Sequence, residues 1–409
     1  MTHLTYRSIW GLDVMFLKPS IRRFCSFVRP NALPELPGTM SAWQICGYNG
    51  FESLKLVNTV EMPPLLQPND VLVKVKAASV NSLDVMMAEG YGQQIFEKFN
   101  QMKPSVIRHL NNHGNFLPLT LGRDFAGVVQ AVSGDVKRIK PGDEVMGTIP
   151  PPLPGSHAEY LVTSACNMKL KPENLTMEEA ASIPYAGLTA WSALNITAEL
   201  CVGSKGKKVL VLGATGGVGT IAIQLLKNLG TLVFSTGSSE AIPFLLQLGS
   251  DFAVDYTSPE ADSELEQFGG FDVILDCTGR TEKFSYSLLK PWANAKYVTL
   301  SPPTLRNFDD HGLIGGLMKN GLDLLAANST AIIEGKTLRW AYFIPSSTAL
   351  TQIVDLARQK KLVPSIDSVF PYDQLPEAYA KMKGGHKCGK IIVKITQIVG
   401  HYWLRFSAI

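Results

Sequence analysis

Residues 209–219 read VLVLGATGGVG and run straight into TIAIQLLKNLG, where apolar residues recur at helical spacing. A buried strand, a glycine-rich turn and a helix in immediate succession leave a chain few folds. Glycine lets the backbone approach a ligand closely, and the free N–H groups at the helix start offer partial positive charge. Together they make a seat for the pyrophosphate of a dinucleotide. The spacing departs from G-x-G-x-x-G: Gly213, Gly216 and Gly219 stand three apart, with Gly217 added. The strand before the turn and the helix after it carry the reading more than the glycines alone.

The text on either side differs in rhythm. From Met40 it is β-rich. VLVKVKAASVN (71–81), FAGVVQAVSG (125–134), KPGDEVMG (140–147) and HAEYLVT (157–163) are short strands and turns with Gly/Pro punctuation, as in a small barrel or partly open β-domain. From Lys207 the strands KKVLVLG, TLVFSTG, FDVILDCTG and AKYVTLS alternate with helical text such as SEAIPFLLQLG. That alternation predicts a doubly wound parallel sheet, an α/β fold. A further helix, LTQIVDLARQKKL, and a late strand, KIIVKI, follow residue 344. A length of 409 residues makes two domains the expectation, and a hydrophobic fraction of 45% supplies their cores.

Several classes of function are disfavoured. The net charge is +3 with no dense basic stripe in the body, so nucleic acid is not an expected partner. The six cysteines are scattered and no C-x-x-C occurs, so neither a zinc lobe nor a disulfide framework is signalled. No apolar run reaches the roughly 18 residues of a membrane span. Residues 1–29 carry Arg7, Lys18, Arg22, Arg23 and Arg29 against Asp13, with apolar residues and Ser/Thr between. This is the composition of a mitochondrial transit peptide, with cleavage near residues 23–29; a leader without an address is the alternative. Residues 30–38 hold Pro30, Pro34, Pro37 and Gly38 and read as a linker.

The segments AASVNSLDVMM, LTLGRDFAGVV, KPGDEV, GSHAEYLV, IPYAGLTAWSAL, LGATGGVG, LGSDFAVDY, FDVILDCTG and GKIIV occur in this order between residues 40 and 395. In them the chain resembles the zinc-independent quinone-reductase branch of the medium-chain dehydrogenase/reductase superfamily. The resemblance implies a GroES-like β-domain plus a Rossmann domain. On that pattern residues 1–38 are leader and linker, and 40–195 the GroES-like substrate domain. Residues 196–343 are the Rossmann domain, 344–395 return to the substrate domain, and 396–409 are a tail. It also implies mitochondrial residence, in the matrix or at a membrane, and a link to ubiquinone metabolism. The partners implied are a quinone or conjugated carbonyl and reticulon-like proteins at mitochondrial membranes; a homodimer is open.

Zinc-dependent members of the superfamily place a cysteine where this chain has Asn81, and His-Glu where it has Arg123-Asp124. Arginine cannot ligate zinc and asparagine is a poor ligand, so no metal is expected. The expected chemistry is hydride transfer from NADPH to an electron-poor acceptor. NAD enzymes carry an acid at the end of the second Rossmann strand. Here that tip offers Thr236, Ser238 and Ser239, with no carboxylate at the tip, although Glu240 follows and no Arg or Lys lies between Thr231 and Ser250. By the resemblance Ser238 and Tyr256 flank a 2′-phosphate, and Thr215, Gly216, Gly217 and Val218 line the pyrophosphate. Cys277, where the family more often has Asn, and Leu300 lie near the nicotinamide. Ala341, Phe343, His386, Lys387 and Cys388 close over the cofactor; Leu300, Ala341 and Phe343 as core and His386 as a turn residue are the plainer roles.

At the reacting end stand Asn81, Asp84 and Tyr91. Asn81 is either a donor to an acceptor carbonyl or the cap of its turn; Asp84 reads as its cap partner. Tyr91, in GYG, resembles the tyrosine of the 2-enoyl-thioester reductases, which assists protonation; an exposed loop aromatic is the plainer role. Tyr286 and Lys290 form Y-x-x-x-K, but the β-rich region ahead of the glycine turn does not fit a short-chain dehydrogenase. Residues 93–116 read as an insertion, either a lid or a surface excursion. Two functional classes stand open: an NADPH-dependent reductase of quinones, conjugated carbonyls or enoyl thioesters, and an NADPH-binding interaction protein with little turnover.

Overall fold

The computed structural model describes residues 36–102, 116–200, 203–279, 286–329, 332–385 and 388–396. The chain divides after Pro37, and the part beginning at Gly38 carries the strands and helices below. The predicted leader (except for its last linker residues), most of the insertion after Met102 and the tail after Thr396 lie outside the described residues.

The first strands are β1 (Thr39–Ile45), β2 (Leu54–Glu61), β3 (Asp70–Val80), β4 (Leu119–Thr120), β5 (Asp124–Val132), β6 (Glu144–Thr148), β7 (Tyr160–Ser164) and β8 (Met168–Leu170). Then come β9 (Lys208–Leu212), β10 (Leu232–Gly237), β11 (Phe252–Asp255), β12 (Val273–Asp276), β13 (Ala295–Thr299) and β14 (Lys336–Trp340), and last β15 (Ile366–Pro371) and β16 (Lys390–Lys394). The helices that shape the site are α1 (Ser82–Ala88), α2 (Gln93–Met102), α3 (Pro184–Trp191), α4 (Gly217–Asn228) and α5 (Thr304–Asn328).

β9 to β14 form one six-stranded parallel sheet, in the order β11-β10-β9-β12-β13-β14. Val209, Leu210 and Val211 of β9 are all fully buried, because a parallel strand covered on both faces reads as a continuous apolar run. The chain steps outward from β9 in both directions, so the crevice at its carboxyl end is the ligand position of a doubly wound sheet. α4 buries Ile221, Ala222, Ile223, Leu225 and Leu226.

The GroES-like part is a mainly antiparallel sheet in the order β15-β16-β3-β5-β6-β8, with β7 also on β3. β1 lies between β2 and β4 in a separate small sheet. β3 is the long central strand; its valines pack with Phe125, Val129, Ile391 and Val393 in one core. β16 comes from the end of the chain and pairs antiparallel with β3, Val393 opposite Ala78. That return brings the start of β16 against the glycine turn.

Candidate active site

The turn after β9 needs its glycines for two reasons. Gly213 has φ +68, a left-handed conformation that favours glycine. A Cβ on Gly219 would fall 2.6 Å from the Gly213 carbonyl oxygen. α4 then begins at Gly217 with Gly216 as an N-cap that has no side chain, so the N–H groups of the first turn stay open to a ligand. Thr215, Gly216, Gly217 and Val218 therefore stand together at the helix start. Gly389 docks on the same turn, its N–H donating to the Thr215 carbonyl at 2.8 Å and its backbone bridging Gly216. Cys388 precedes it, tied by its N–H to Asp367 Oδ1 at 3.0 Å, and burial pushes its thiol up. His386 and Lys387 lie outside the described residues.

The carboxyl ends of the parallel strands make the rest of the rim. Backbone bonds set Cys277 beside Leu212, Leu300 beside Asp276 and Ala341 beside Thr299, at 2.9–3.0 Å. Burial pushes the Cys277 thiol well up, so the side chain is neutral. Phe343 stacks on Tyr185 with ring centroids 4.5 Å apart. At the other end of the rim Ser238 caps the turn after β10, and Tyr256 follows β11 with an exposed ring. The tip of β10 itself carries no carboxylate. Its parallel neighbour supplies one, since Asp255 stands opposite Gly237. Ser239 Oγ and the Thr257 N–H and hydroxyl all donate to that carboxylate and hold it below the usual carboxylate range.

A buried polar knot lies where β16, β3 and β5 meet. Lys390, 4% exposed, runs its chain over Gly217, where an added Cβ would meet its Cδ at 2.5 Å. Its Nζ donates to Asn81 Oδ1 and lies 3.2 Å from Asp124 Oδ2. Asn81 Nδ2 donates to Asp124 Oδ2 at 3.0 Å and to Ser79 Oγ at 3.4 Å. Both amide hydrogens of Asn81 are thus directed at neighbours. Asp124 also accepts from Ser79 Oγ and, at its other oxygen, from the Tyr185 N–H. Asp84 does cap α1, accepting from the Asn81 N–H at 2.8 Å. It has a second role as well: it accepts from the Gly122 N–H and lies 3.6 Å from Arg123 Nε, both side chains fully buried.

His157 sits in the same core, between the Ser79 carbonyl and the Tyr379 hydroxyl, each at 3.2 Å. A carbonyl only accepts, so Nε2 carries the proton and Nδ1 accepts from Tyr379. Burial keeps the imidazole neutral by pushing its pKa down.

Tyr91 lies in the turn between α1 and α2, against the loop after β13. Its hydroxyl donates to the Pro302 carbonyl at 3.4 Å, and burial together with Tyr342 and Asp309 raises its pKa. It is half-buried and protonated, not an exposed loop ring. The turn that carries it is fastened to α5, whose Asp309 accepts from the backbone of Gly92 and Gln94 at 2.6 and 3.0 Å. Tyr286 lies elsewhere, stacked on Tyr297 within the parallel-sheet core. Lys390, Tyr185 and the acid at Asp255 were not singled out from the sequence. GKIIV and VDY are legible only as motifs: Lys390 and Tyr185 matter through partners far along the chain, and Asp255 through the pairing of β11 with β10.

Two family models match: "Alcohol dehydrogenase GroES-like domain" over residues 67–173 and "Zinc-binding dehydrogenase" over residues 248–393. Among curated relatives, the human "NAD(P)H oxidoreductase RTN4IP1, mitochondrial" is 40% identical over 384 residues, covering 93% of each chain. A tomato (Solanum lycopersicum) "2-methylene-furan-3-one reductase" is 34% identical over 281 residues, 66% of each chain. Among solved structures, the quinone oxidoreductase from Coxiella burnetii aligns with a TM-score of 0.69 at 29% identity, covering 87% of this chain and 99% of that one.

Proposed function

The chain belongs to the RTN4IP1 family of mitochondrial NAD(P)H oxidoreductases, within the medium-chain dehydrogenase/reductase superfamily, and we propose that it reduces a quinone or related conjugated carbonyl with NADPH and without zinc. The observation that carries the zinc-free reading is the polar knot. Where a catalytic metal would need neutral or anionic donors, this chain has two buried cations, Lys390 and Arg123, each beside a carboxylate. Cations do not ligate zinc. The residues fit no such ion, and no step is routed through one.

The glycine turn fits a dinucleotide, with Thr215, Gly216, Gly217 and Val218 to hold its pyrophosphate. The nicotinamide supplies the hydride when bound. Cys277, Leu300, Ala341 and Phe343 offer it an uncharged surface that excludes water. A quinone needs little acid catalysis, since its reduced oxygens take protons from solvent. Ser238 favours NADPH over NADH through a hydrogen bond to a 2′-phosphate, while Ser239 gives its hydroxyl proton to Asp255. The proposed home is the mitochondrion, as the relatives' names and the Arg-rich leader indicate. A link to ubiquinone metabolism and contact with reticulon-like proteins are part of the same proposal.

Tyr91 favours a second reading, reduction of 2-enoyl thioesters. Its raised pKa keeps the proton that carbon protonation would use. The variant Tyr91→Phe separates the two. Enoyl-thioester reduction should fall on the order of 100-fold, the usual worth of a positioned acid, while quinone reduction should change little. Equal loss on both acceptors would contradict this division of roles.

A further inference from the structure

α5 breaks at Gly312, where φ is +67. Beyond the break the helix turns apolar side chains outward as well as inward. Its inner side mixes Leu324 and Ala327, packed on the parallel-sheet core, with a polar cluster: Asn320 is buried, donating to the Thr304 carbonyl at 3.3 Å and accepting from Asn307 at 2.7 Å, and Asn307 also donates to Asp323 at 2.8 Å. Its outer side carries Ile314, Leu317, Met318, Leu322 and Leu325, which are 60–79% exposed. They recur three and four residues apart, so they form one stripe about 17 Å long at the α-helical rise. Among the exposed residues from Leu313 to Asn328 the only charge is Lys319, which is paired with Asp323. An uncovered apolar patch of this size marks an interaction site.

The chemistry of the stripe points to lipid. A protein interface carries about one hydrogen bond per 100–200 Å², and these five side chains offer no hydrogen-bonding group. Acyl chains ask for none. Exposed Ile332 and Ile333 follow the helix, and next to them stands Trp292, 77% exposed, its backbone N–H donating to the Glu334 carbonyl. An indole there suits the headgroup level of a bilayer. The near end of α5 is fastened to the mouth of the site, through Asp309 to the Tyr91 turn and through Thr304 to the Tyr342 hydroxyl at 2.6 Å. No helix among the described residues is long and apolar enough to cross a membrane, so a lipid contact of α5 is with a bilayer surface.

We propose that this face of α5 rests on a lipid bilayer, with the mouth of the site turned towards the acyl chains, so that a membrane-dissolved acceptor enters directly. The bilayer contact stands on the helix alone; the route of the acceptor rests on the quinone reading above.

The test is flotation of the full chain with phosphatidylcholine vesicles, beside a Leu317→Ser/Leu325→Ser variant. The wild type should float. The variant should partition at least roughly tenfold less, since two leucines leave the acyl region, with an unchanged melting temperature because both side chains are exposed. Turnover with a short water-soluble quinone should be the same for both proteins, whereas turnover with a long-chain quinone held in vesicles should drop in the variant alone. A wild type that fails to float, or a variant that floats as well, overturns the proposal. So does a dimer in sedimentation that the double substitution dissociates, since a second copy would then cover the stripe. Vesicle binding without turnover on any quinone keeps the bilayer contact and removes the quinone reading.

Discussion

At the scale of single residues, the polar knot is held by charges that cannot be removed one at a time. Lys390 and Asp124 are both buried, and removing one partner of such a pair leaves an uncompensated charge. Lys390→Met should therefore lower stability by about 3–5 kcal/mol, read from urea unfolding. Lys390→Met/Asp124→Asn should recover much of that loss; a double variant as unstable as the single one would mean that packing over Gly217, not charge, is what Lys390 supplies. His157 gives a pH dependence of defined sign. Its folded-state pKa lies below its unfolded value, so only the unfolded chain takes up the proton as pH falls below about 6.5. Its contribution is fully present above that pH and is lost on acidification. A His157→Gln variant should show a shallower fall of unfolding free energy between neutral and mildly acid pH. An unchanged slope would show that the imidazole is not protected as its burial indicates.

Elements were legible where pattern and period agreed. β9, β10, β12 and β13 fall on the four runs read as parallel strands, and α4 follows the glycine turn as its spacing predicts. α5 gives no such agreement. Its outward face is apolar and its inward face mixes Asn320 with Leu324 and Ala327, so its text does not separate into a core face and a solvent face as an ordinary surface helix does. Nor could the sequence show that β11 lies against β10 and brings Asp255 to the strand tip, because that is a matter of sheet order. This carboxylate opposes a 2′-phosphate, and Ser239 and Thr257 engage it. In fluorescence titrations NADPH should bind more tightly than NADH, and Asp255→Asn should widen the difference by relieving like-charge repulsion. Equal dissociation constants for the two cofactors in the wild-type protein would remove the NADPH preference.

For the whole molecule, the fold class was within reach of the sequence because two different rhythms, short punctuated strands and strand–helix alternation, occupy different stretches of chain. The site was only partly so. The glycine turn announces itself in eleven consecutive residues, but the proposed reacting end draws on Asn81, Tyr91, Asp124, Tyr185 and Lys390, which span most of the chain. Only the return of β16 to β3 brings Lys390 to Asn81. The central claim is that these parts serve zinc-free hydride transfer from NADPH to a quinone-like acceptor. Steady-state NADPH oxidation by metal-stripped protein, across a series of quinones and enoyl thioesters, tests it most directly. Sustained quinone-dependent turnover that added zinc does not raise is the predicted result. Tight NADPH binding with no turnover on any acceptor, or turnover that appears only when zinc is restored, would contradict it.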